Sequence, residues 1–139
     1  MPHAAIIARL KTVVGLKSVG GSIDFSGIET APKLLNAAYV LPSSDKSGPN
    51  ALASGGIEQK STLRFSVAIC ARNIKTLSGQ SNPMGELPAV RAAIDAALIG
   101  WEPLPEYDLI THDSGRLLQV GKGVMWWMDD YMTGYFRRQ

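Results

Sequence analysis

Two groups of neighbouring polar residues could carry chemistry in this sequence, and the first is His112-Asp113. A histidine beside a carboxylate is a candidate for half of an acid/base or metal site. The only other histidine is His3, and no HExxH or CxxC spacing accompanies the pair. A polar pair in a turn that leads into Ser114-Gly115 is therefore the favoured interpretation. A small hydrolase built around His112 and Asp113 remains an alternative.

The second group is Asp129-Asp130, which lies in an aromatic segment near the C-terminus. Adjacent residues of a strand point to opposite faces, so the two carboxylates should not converge on a metal ion or form an acid/base couple. Gly121-Lys122-Gly123 lacks the GxxxxGK[ST] phosphate-loop pattern and lies between two candidate strands, which favours a hairpin turn. No GxSxG motif supplies a nucleophile. The sequence predicts no enzyme, no cofactor and no metal site.

The composition describes one ordinary α+β domain covering residues 1–139. Lys and Arg number 14 and Asp and Glu 12, which leaves a net charge of +2 and no strong nucleic-acid footprint. Arg137-Arg138 keeps DNA binding as a minor alternative. No apolar stretch has the length of a membrane span, and Arg9 interrupts the first apolar run too early for a secretory signal. The single cysteine, Cys70, lies in an apolar run and is predicted to be buried and inert in a reducing cytosol.

Apolar spacing predicts two main helices. The first covers residues 4–14 and ends at Gly15, and the second covers residues 87–99, with Pro88 in its first turn and Gly100 after it. Residues 28–38 are predicted to contain a further short helix.

Strands are predicted from alternating apolar residues. The clearest covers residues 62–72, with the odd-numbered positions 63–71 forming one apolar face. Shorter strands are predicted at residues 19–25, 39–41, 107–111 and 116–120, with Pro42 ending the second of them. The last strand covers residues 124–136, after the glycine turn.

Two polar, turn-rich segments separate these elements. Residues 42–56 are rich in Ser, Gly, Pro and Asn, and they predict an exposed arm or hairpin. Residues 77–85 form a second loop before the main C-terminal helix. Long loops in a compact domain often contact partners, so we expect both segments to make intersubunit contacts or contacts with another protein.

The last strand carries large apolar groups on both faces, with Trp126, Met128, Met132 and Phe136 on one and Trp127, Tyr131, Thr133 and Tyr135 on the other. A face that the subunit itself does not cover would form an apolar interaction patch. This favours self-association. In the alternative, loops and the strand at Tyr39 complete the core within one subunit. Residues 1–75 have a net charge of +5 and residues 76–139 one of −3, a division that could suit head-to-tail contacts.

The last strand contains the pattern Trp-Trp-x-Asp-x-x-x-Thr-x-Tyr, which begins at Trp126. Further short segments accompany it, and the full set is residues 38–42 (AYVLP), 67–73 (VAICARN), 97–101 (ALIGW), 115–118 (GRLL) and 123–137 (GVMWWMDDYMTGYFR). These segments resemble tailed-phage tail terminator proteins, and the aromatic pattern is the most specific of them. The similarity extends from the first helix to the C-terminus.

The resemblance implies an α+β fold with a twisted, mostly antiparallel sheet flanked by two main helices and carrying a long polar loop or hairpin arm. It implies a homo-oligomeric ring, a hexamer, in the neck of the virion tail, assembled in the host cytoplasm. The ring would end tail-tube polymerisation and join tail to head, with no cofactor and no membrane. Its partners would be the tail tube protein and a head–tail connector, with DNA only as passing genome. Another small phage neck protein, such as a connector or tail completion factor, is the alternative.

The family's interface residues are not fixed by a short motif. On the loop and aromatic-strand arguments together, we expect these residues at a subunit or tube interface: Asp45, Lys46, Asn50, Asn82, Trp127, Asp129 and Tyr131.

Overall fold

The computed structural model describes residues 1–28, 32–73 and 85–139. In these residues the chain forms three helices and five strands. Their bounds are α1 His3–Leu10, β1 Ser18–Gly20, α2 Ser22–Ser26, β2 Ala37–Asn50, β3 Glu58–Arg72, α3 Leu87–Leu98, β4 Thr111–Gly121 and β5 Val124–Arg138.

The strands form one sheet in the order β1-β2-β3-β5-β4. The pair β1–β2 is parallel, and the pairs β2–β3, β3–β5 and β4–β5 are antiparallel. The hairpin between β4 and β5 turns through Lys122 and Gly123, whose φ angles are 53° and 77°. The predicted hairpin turn and the mostly antiparallel sheet are thus confirmed.

A hairpin extends from the sheet and is called the arm below, defined as residues 42–64. It consists of the second half of β2, a turn at residues 51–57 and the first half of β3. The end of β5 lies beside β3 over this whole length, and Ile57 and Gln139 exchange backbone hydrogen bonds of 2.9 and 3.0 Å. The predicted exposed hairpin at residues 42–56 is therefore confirmed as part of a longer hairpin, and a third strand, which was not predicted, lies beside it.

Helices α1 and α3 pack on the same face of the sheet. Their buried residues join the apolar face of β3 in one core cluster that includes Ile6, Leu10, Val40, Phe65, Val67, Ile69, Ala71, Leu87, Val90, Ile94, Leu98, Ile110, Met125 and Tyr131. Pro88 lies in the first turn of α3, where its missing N–H removes no helical hydrogen bond. The predicted face of β3 and the predicted helix α3 are confirmed, while α1 ends at Leu10, earlier than expected.

The opposite face of the sheet has a smaller core, covered by α2. Phe25 of α2 lies 5.8 Å, between ring centroids, from both Tyr39 and Trp126. Cys70 is buried in this cluster, and burial raises the pKa of its thiol to about 11. The prediction that Cys70 is a buried thiol is confirmed.

Three predicted elements in the first half are wrong. The segment 19–25 forms only the short strand β1 before the chain turns into α2, because Gly21 ends the strand and Asp24 caps the helix by accepting from the Gly21 N–H. Residues 32–36 are not helical, and residues 29–31 lie outside the described part of the chain. Pro42 does not end β2, since its missing N–H is tolerated where β2 is an edge strand, with a register shift beside it.

The strands predicted at residues 107–111 and 116–120 do not form as two separate strands. Residues 107–110 are not in a strand, and one strand, β4, covers Thr111–Gly121 with register shifts at two places. The glycine and polar residues that predicted a turn at 112–115 are accommodated by a strand at the rim of the sheet. Among the described residues, no helix has the length and apolar character required to cross a membrane.

Candidate functional site

The centre of β5 holds a buried carboxylate, Asp129, that links three elements. Arg91 of α3 donates to both of its oxygens, from Nε at 2.9 Å and from Nη2 at 2.8 Å. His112 of β4 lies with Nε2 2.9 Å from Oδ1. The side chain of Asp129 is fully buried, whereas those of Arg91 and His112 are partly exposed. The carboxylate therefore bridges α3 to the edge strand β4.

The electrostatics of this bridge favour the ionised carboxylate. Burial raises the pKa of Asp129, but the hydrogen bonds from Arg91 and His112 outweigh it and hold that pKa below its ordinary value. A bidentate guanidinium is the strongest side-chain partner for a carboxylate. Asp129 is therefore a charged group that needs both partners to stay buried.

Tyr131 lies beside the bridge on the same face of β5. Its hydroxyl donates to Asp95 of α3 at 2.6 Å, and its ring stacks on Phe65 with centroids 5.6 Å apart. Burial, together with the Asp95 contact, raises its pKa. The ring of His112 meets Tyr131 edge-on at 5.2 Å. Tyr131 thus fixes a second point of α3 against the sheet.

Trp127 completes this cluster at its outer side. The Arg91 guanidinium lies 4.5 Å from the centroid of the indole ring. Gly115 of β4 is directly opposite Asp129, and a Cβ there would come within 2.5 Å of Asp129 Oδ1 and 3.0 Å of Trp127 Nε1. The close approach of β4 to the buried carboxylate therefore requires glycine at position 115.

The cluster has the geometry of a structural brace. A hydrolase at His112 would need an attacking group beside the imidazole, and His112 instead contacts the Asp129 carboxylate and the ring of Tyr131, whose hydroxyl is directed to Asp95. Asp113, the other half of the proposed pair, faces Arg64 at 3.6 Å. Within residues 1–28, 32–73 and 85–139, no group of three or more His, Cys, Asp or Glu side chains could hold a metal ion. The turn predicted for His112-Asp113 is wrong, because both residues lie in β4.

Asp130 lies on the opposite face of β5 from its neighbour. It accepts hydrogen bonds from Ser66 at 2.5 Å, from Ser114 at 3.1 Å and from Arg116 at 3.1 Å. The two aspartates therefore have separate sets of partners on separate faces. The prediction that they do not converge is confirmed.

Asp45, an expected interface residue, holds the arm to the end of β5. Its Oδ2 accepts from the Tyr135 hydroxyl at 2.5 Å and from Arg137 at 2.8 Å. Both contacts bridge over β3, where Ser61 accepts from Arg137 Nε at 3.2 Å. Asp45 thus holds the two strands of the arm and the end of β5 together.

The other expected interface residues of the loops differ in their surroundings. The Asn50 side chain accepts from the backbone N–H groups of Leu52 and Glu58 and donates to the Gly56 carbonyl, which closes the turn of the arm. Lys46 is exposed on the arm. Asn82, with residues 77–84 of the second loop, lies outside the described residues.

Three of the expected interface residues lie on β5, and the structure separates them. Asp129 and Tyr131 are enclosed by their own subunit, so in this conformation their side chains are not on a surface that a partner could reach. The physical reason is that α3 and β4 cover this part of β5 and supply the polar partners that the two side chains need. Trp127 is half-buried at the edge of the same cluster.

Two groups of exposed apolar side chains lie on β4 and at the tip of the arm, and others, such as Val14, Ile23 and Leu34, lie elsewhere on the surface. Leu117, Leu118 and Val120 of β4 are 51%, 43% and 50% exposed, and Leu52 and Ile57 lie exposed at the arm's tip. Exposed apolar groups that lie close together mark interaction surfaces. Among the described residues, the strand β4 and the end of the hairpin are therefore two candidate interaction surfaces.

Sequence reasoning missed Arg91 and the role of Gly115. Arg91 interrupts the apolar pattern of α3 at a position beside the core, which is a signal in the sequence. Gly115 was predicted in a turn, and the structure shows that it lies inside a strand, where glycine often marks a close approach. The sequence around Arg91 or Gly115 does not identify Asp129 as the shared partner, because the three residues are far apart in the chain.

Comparisons with known proteins give a family for the chain and a solved structure of similar fold. The family described as phage tail terminator protein matches the chain over residues 1–139. A search of curated protein sequences finds no match. Among solved structures, the chain is similar to a chain of the virion of a native gene transfer agent (GTA) particle, with a TM-score of 0.53 and 14% identity, covering 95% of this chain and 91% of that chain.

At that identity the structural match supports the fold alone, an α+β arrangement with a largely antiparallel sheet. The family match covers the full length of the chain, including β4, the arm and the aromatic strand β5. The chain belongs to the phage tail terminator family and is a structural protein of the bacteriophage tail.

Proposed function

We propose that this chain forms a closed homo-oligomeric ring, a hexamer, at the head-proximal end of the tail tube. The ring ends tube polymerisation and provides the surface to which the head is joined. This action is steric, so it requires neither a reaction nor a cofactor. The family match carries the proposal, and the surfaces of the subunit support it.

The supporting surfaces are the open edge at β4 and the arm. A ring of identical subunits needs two different surfaces that fit each other, because each copy contacts its neighbours head to tail. Strand β4 lies at one edge of the sheet and carries exposed apolar residues. The arm projects from the sheet and has exposed apolar residues at its tip. Lys46, Leu52 and Ile57 on the arm are the residues we assign to contacts with a neighbour or with the tube.

The division of charge along the sequence does not by itself create two oppositely charged surfaces. Positive residues of the first half pair with negative residues of the second half inside the subunit, as in Lys60–Asp108 and Arg64–Asp113, and Asp45 pairs in the reverse sense with Arg137. The ring is therefore proposed on shape and strand chemistry rather than on bulk charge.

In this proposal the two faces of the ring have different partners. One face fits the last ring of the tail tube protein, and the other cannot accept a further tube subunit and meets a head–tail connector instead. The genome passes through the ring without tight binding. The ring assembles in the host cytoplasm and stays in the neck of the virion.

The oligomeric state tests the first half of the proposal. Native mass spectrometry and light scattering of the purified chain over a range of concentrations should show a closed hexamer, and images of the same sample should show rings with a central channel. A strictly monomeric protein that is also absent from purified tails would overturn the proposal.

The phenotype of a phage without this gene tests the second half. Tail tubes should then exceed their normal length and fail to join heads, and the wild-type chain supplied from a plasmid should restore both. Tubes of normal length that fail only in joining would instead support the alternative, a connector or completion factor, which locating the chain in images of the neck would distinguish.

A further inference from the structure

Strand β4 has an open outer edge. It is the last strand in the sheet order, and within residues 1–28, 32–73 and 85–139 its only strand partner is β5. An unpaired edge presents a row of N–H and C=O groups that bind another extended strand, and proteins normally protect such edges. This edge is protected only in part: it contains Asp113, Arg116 and two register shifts, but no proline or lysine, and it carries exposed Leu117 and Val120. This is the edge of a strand that is suited to accept a partner.

The opposite side of the sheet also has a free edge, on β2. The short strand β1 pairs only with Ala37, Ala38 and Tyr39, so the outer edge of residues 40–50 has no partner strand among the described residues. Pro42 and Pro49 lack N–H groups and interrupt this edge near both ends. Residues 43–48 between them contain no proline, and the alternate residues whose N–H and C=O groups point away from β3 can pair with another strand.

The directions of the strands make the two edges compatible. Each neighbour in the series β2, β3, β5 and β4 is antiparallel to the next, so β2 and β4 of one subunit run in opposite directions. If a second copy continues the sheet with its β2 beside β4 of the first, the alternation is maintained and the new pair is antiparallel. The same contact can then repeat from copy to copy, as a ring requires.

The positions of the two edges along the sheet set the geometry of such a ring. Arg116, at the middle of β4, lies opposite Met128 of β5, whereas Asp45, at the middle of the free edge of β2, is aligned through Leu63 with Thr133. Thr133 is five residues further along β5 than Met128. Pairing the two edges therefore displaces each copy along the strands by about 17 Å, at about 3.3 Å per residue.

This displacement matches the geometry of closed sheets. Four strands per copy, about 4.8 Å apart, are about 19 Å wide. A shift of about 17 Å over a width of about 19 Å tilts the strands by about 40° from the ring axis, within the roughly 35–45° range typical of closed β-barrels. Pairing the midpoints of the two edges is thus compatible with closure of the sheet into a ring.

We infer that β4 of one copy pairs in antiparallel fashion with residues 43–48 of β2 in the next copy, so that the sheets form a continuous wall around the ring. This inference rests on the proposed ring and names its subunit contact. It leaves the tip of the arm, beyond Pro49, for a different partner.

Cysteine crosslinking tests the contact, because the native Cys70 is fully buried. Ser44→Cys on the arm is combined in turn with Ser114→Cys, Arg116→Cys or Gln119→Cys on β4, and the assembled protein is treated with a short bismaleimide. The matched control combines Ser44→Cys with Lys11→Cys, which is exposed at the end of α1 and belongs to neither strand. At least one arm–β4 pair should give a ladder of covalent oligomers that ends at the ring size, and the control should not.

The outcomes separate this contact from the ring itself. Rings seen in images but no ladder with any arm–β4 pair would overturn the strand pairing and leave the proposed function standing. Crosslinked dimers from a single β4 cysteine alone would show two-fold β4–β4 pairing and would also overturn it. A chain that forms no ring at all and is absent from tails would instead overturn the proposed function.

A charge on the open edge gives a second readout that does not depend on crosslinking. Val120→Lys places an ammonium on an exposed position of β4, and Leu109→Lys places one on an equally exposed position outside the strand. The first variant should weaken ring assembly at least tenfold in concentration while keeping the thermal stability of the monomer, and the second should assemble normally. Equal assembly of both variants would contradict a role for the β4 edge.

Discussion

Replacement of Asp129 by asparagine is the sharpest test of the brace between α3 and β4. The substitution keeps the size of the side chain and removes its charge. Arg91 then loses its anionic partner, and one oxygen that accepted from Arg91 and His112 is replaced by an amide group that cannot accept. The variant should therefore fold with a weakened contact between the two elements.

The size of the effect follows from burial. Removing one partner of a fully buried ion pair typically costs about 3–5 kcal/mol. Asp129 is fully buried, but the Arg91 side chain is 33% exposed, so water solvates part of the orphaned charge. We expect a loss of about 2–3 kcal/mol in the free energy of unfolding, which for a chain of this length corresponds to a Tm lower by roughly 6–12 °C.

The pH dependence has a definite sign. The folded pKa of Asp129 is lower than its ordinary value of 3.8, so its ionisation stabilises the fold fully at pH values well above 3.8. That contribution is lost as the pH falls below 3.8 and through the folded pKa. The wild-type chain should therefore lose more stability than Asp129→Asn in acid, and the difference between them should shrink.

Urea denaturation of the monomer at pH 7 and at a series of acidic pH values measures both effects. Asp130→Asn is the matched control, since Asp130 lies on the other face and pairs with the exposed Arg116. The control should lose less than Asp129→Asn, because its cationic partner Arg116 is exposed and asparagine keeps one acceptor oxygen for the hydrogen bond from Ser66. If Asp129→Asn loses no more than the control, or if its deficit is unchanged in acid, the brace does not contribute in the way the geometry indicates.

Three further outcomes are expected. Gly115→Ala should destabilise the fold by about 2 kcal/mol, because its Cβ would lie 2.5 Å from a buried carboxylate oxygen, whereas Gly48→Ala, where the nearest atom is at 3.4 Å, should change stability by less than about 1 kcal/mol in the same urea titration. Tyr131→Phe should lose about 1–2 kcal/mol with the hydrogen bond to Asp95, and a loss below about 0.5 kcal/mol would contradict that contact. Cys70 should react with a soluble disulfide reagent at pH 8 only after urea unfolds the chain, since its pKa is about 11 and it is buried; rapid reaction of the native chain would contradict its burial.

The parts of the fold that the sequence predicts are those with strong local patterns. The alternation at residues 63–71 predicted both the central strand and its core face, and the spacing of Leu87, Val90 and Ile94 predicted α3. The glycines at 121 and 123 predicted the last hairpin, because a tight turn there needs positive φ angles. In each case the residues that decide the structure are neighbours in the chain.

The errors come from interactions between distant segments. Pro42 would end a strand inside a sheet, but β2 is an edge strand beyond β1, and edge position is a property of the whole sheet. His112 was expected in a turn because its neighbours are polar, yet its partner is Asp129 of the adjacent strand. Tertiary partners overrode the local preference in both places.

The site was less predictable than the fold for the same reason. Asp129 and Tyr131 were expected at an interface because a small chain has little material to cover an aromatic strand. What covers them is a pair of polar contacts to α3, from Arg91 and to Asp95, that no pattern within either segment shows. Exposed apolar surface lies instead on β4. Its exposed leucines were predicted in a short strand, and the sequence did not indicate which face of that strand would be buried.

The buried brace and the open edge are physically connected through β4. No buried side chain anchors β4, since all its residues are at least partly exposed, so its position depends on the ladder with β5, on the His112–Asp129 contact and on the close approach at Gly115. An edge strand offers a template for pairing, and these contacts fix where β4, with its two register shifts, presents that template. Substitutions in the brace should therefore weaken ring assembly as well as stability, whereas Val120→Lys should weaken assembly alone. That difference would show that the interior of the subunit prepares the edge that its neighbour uses.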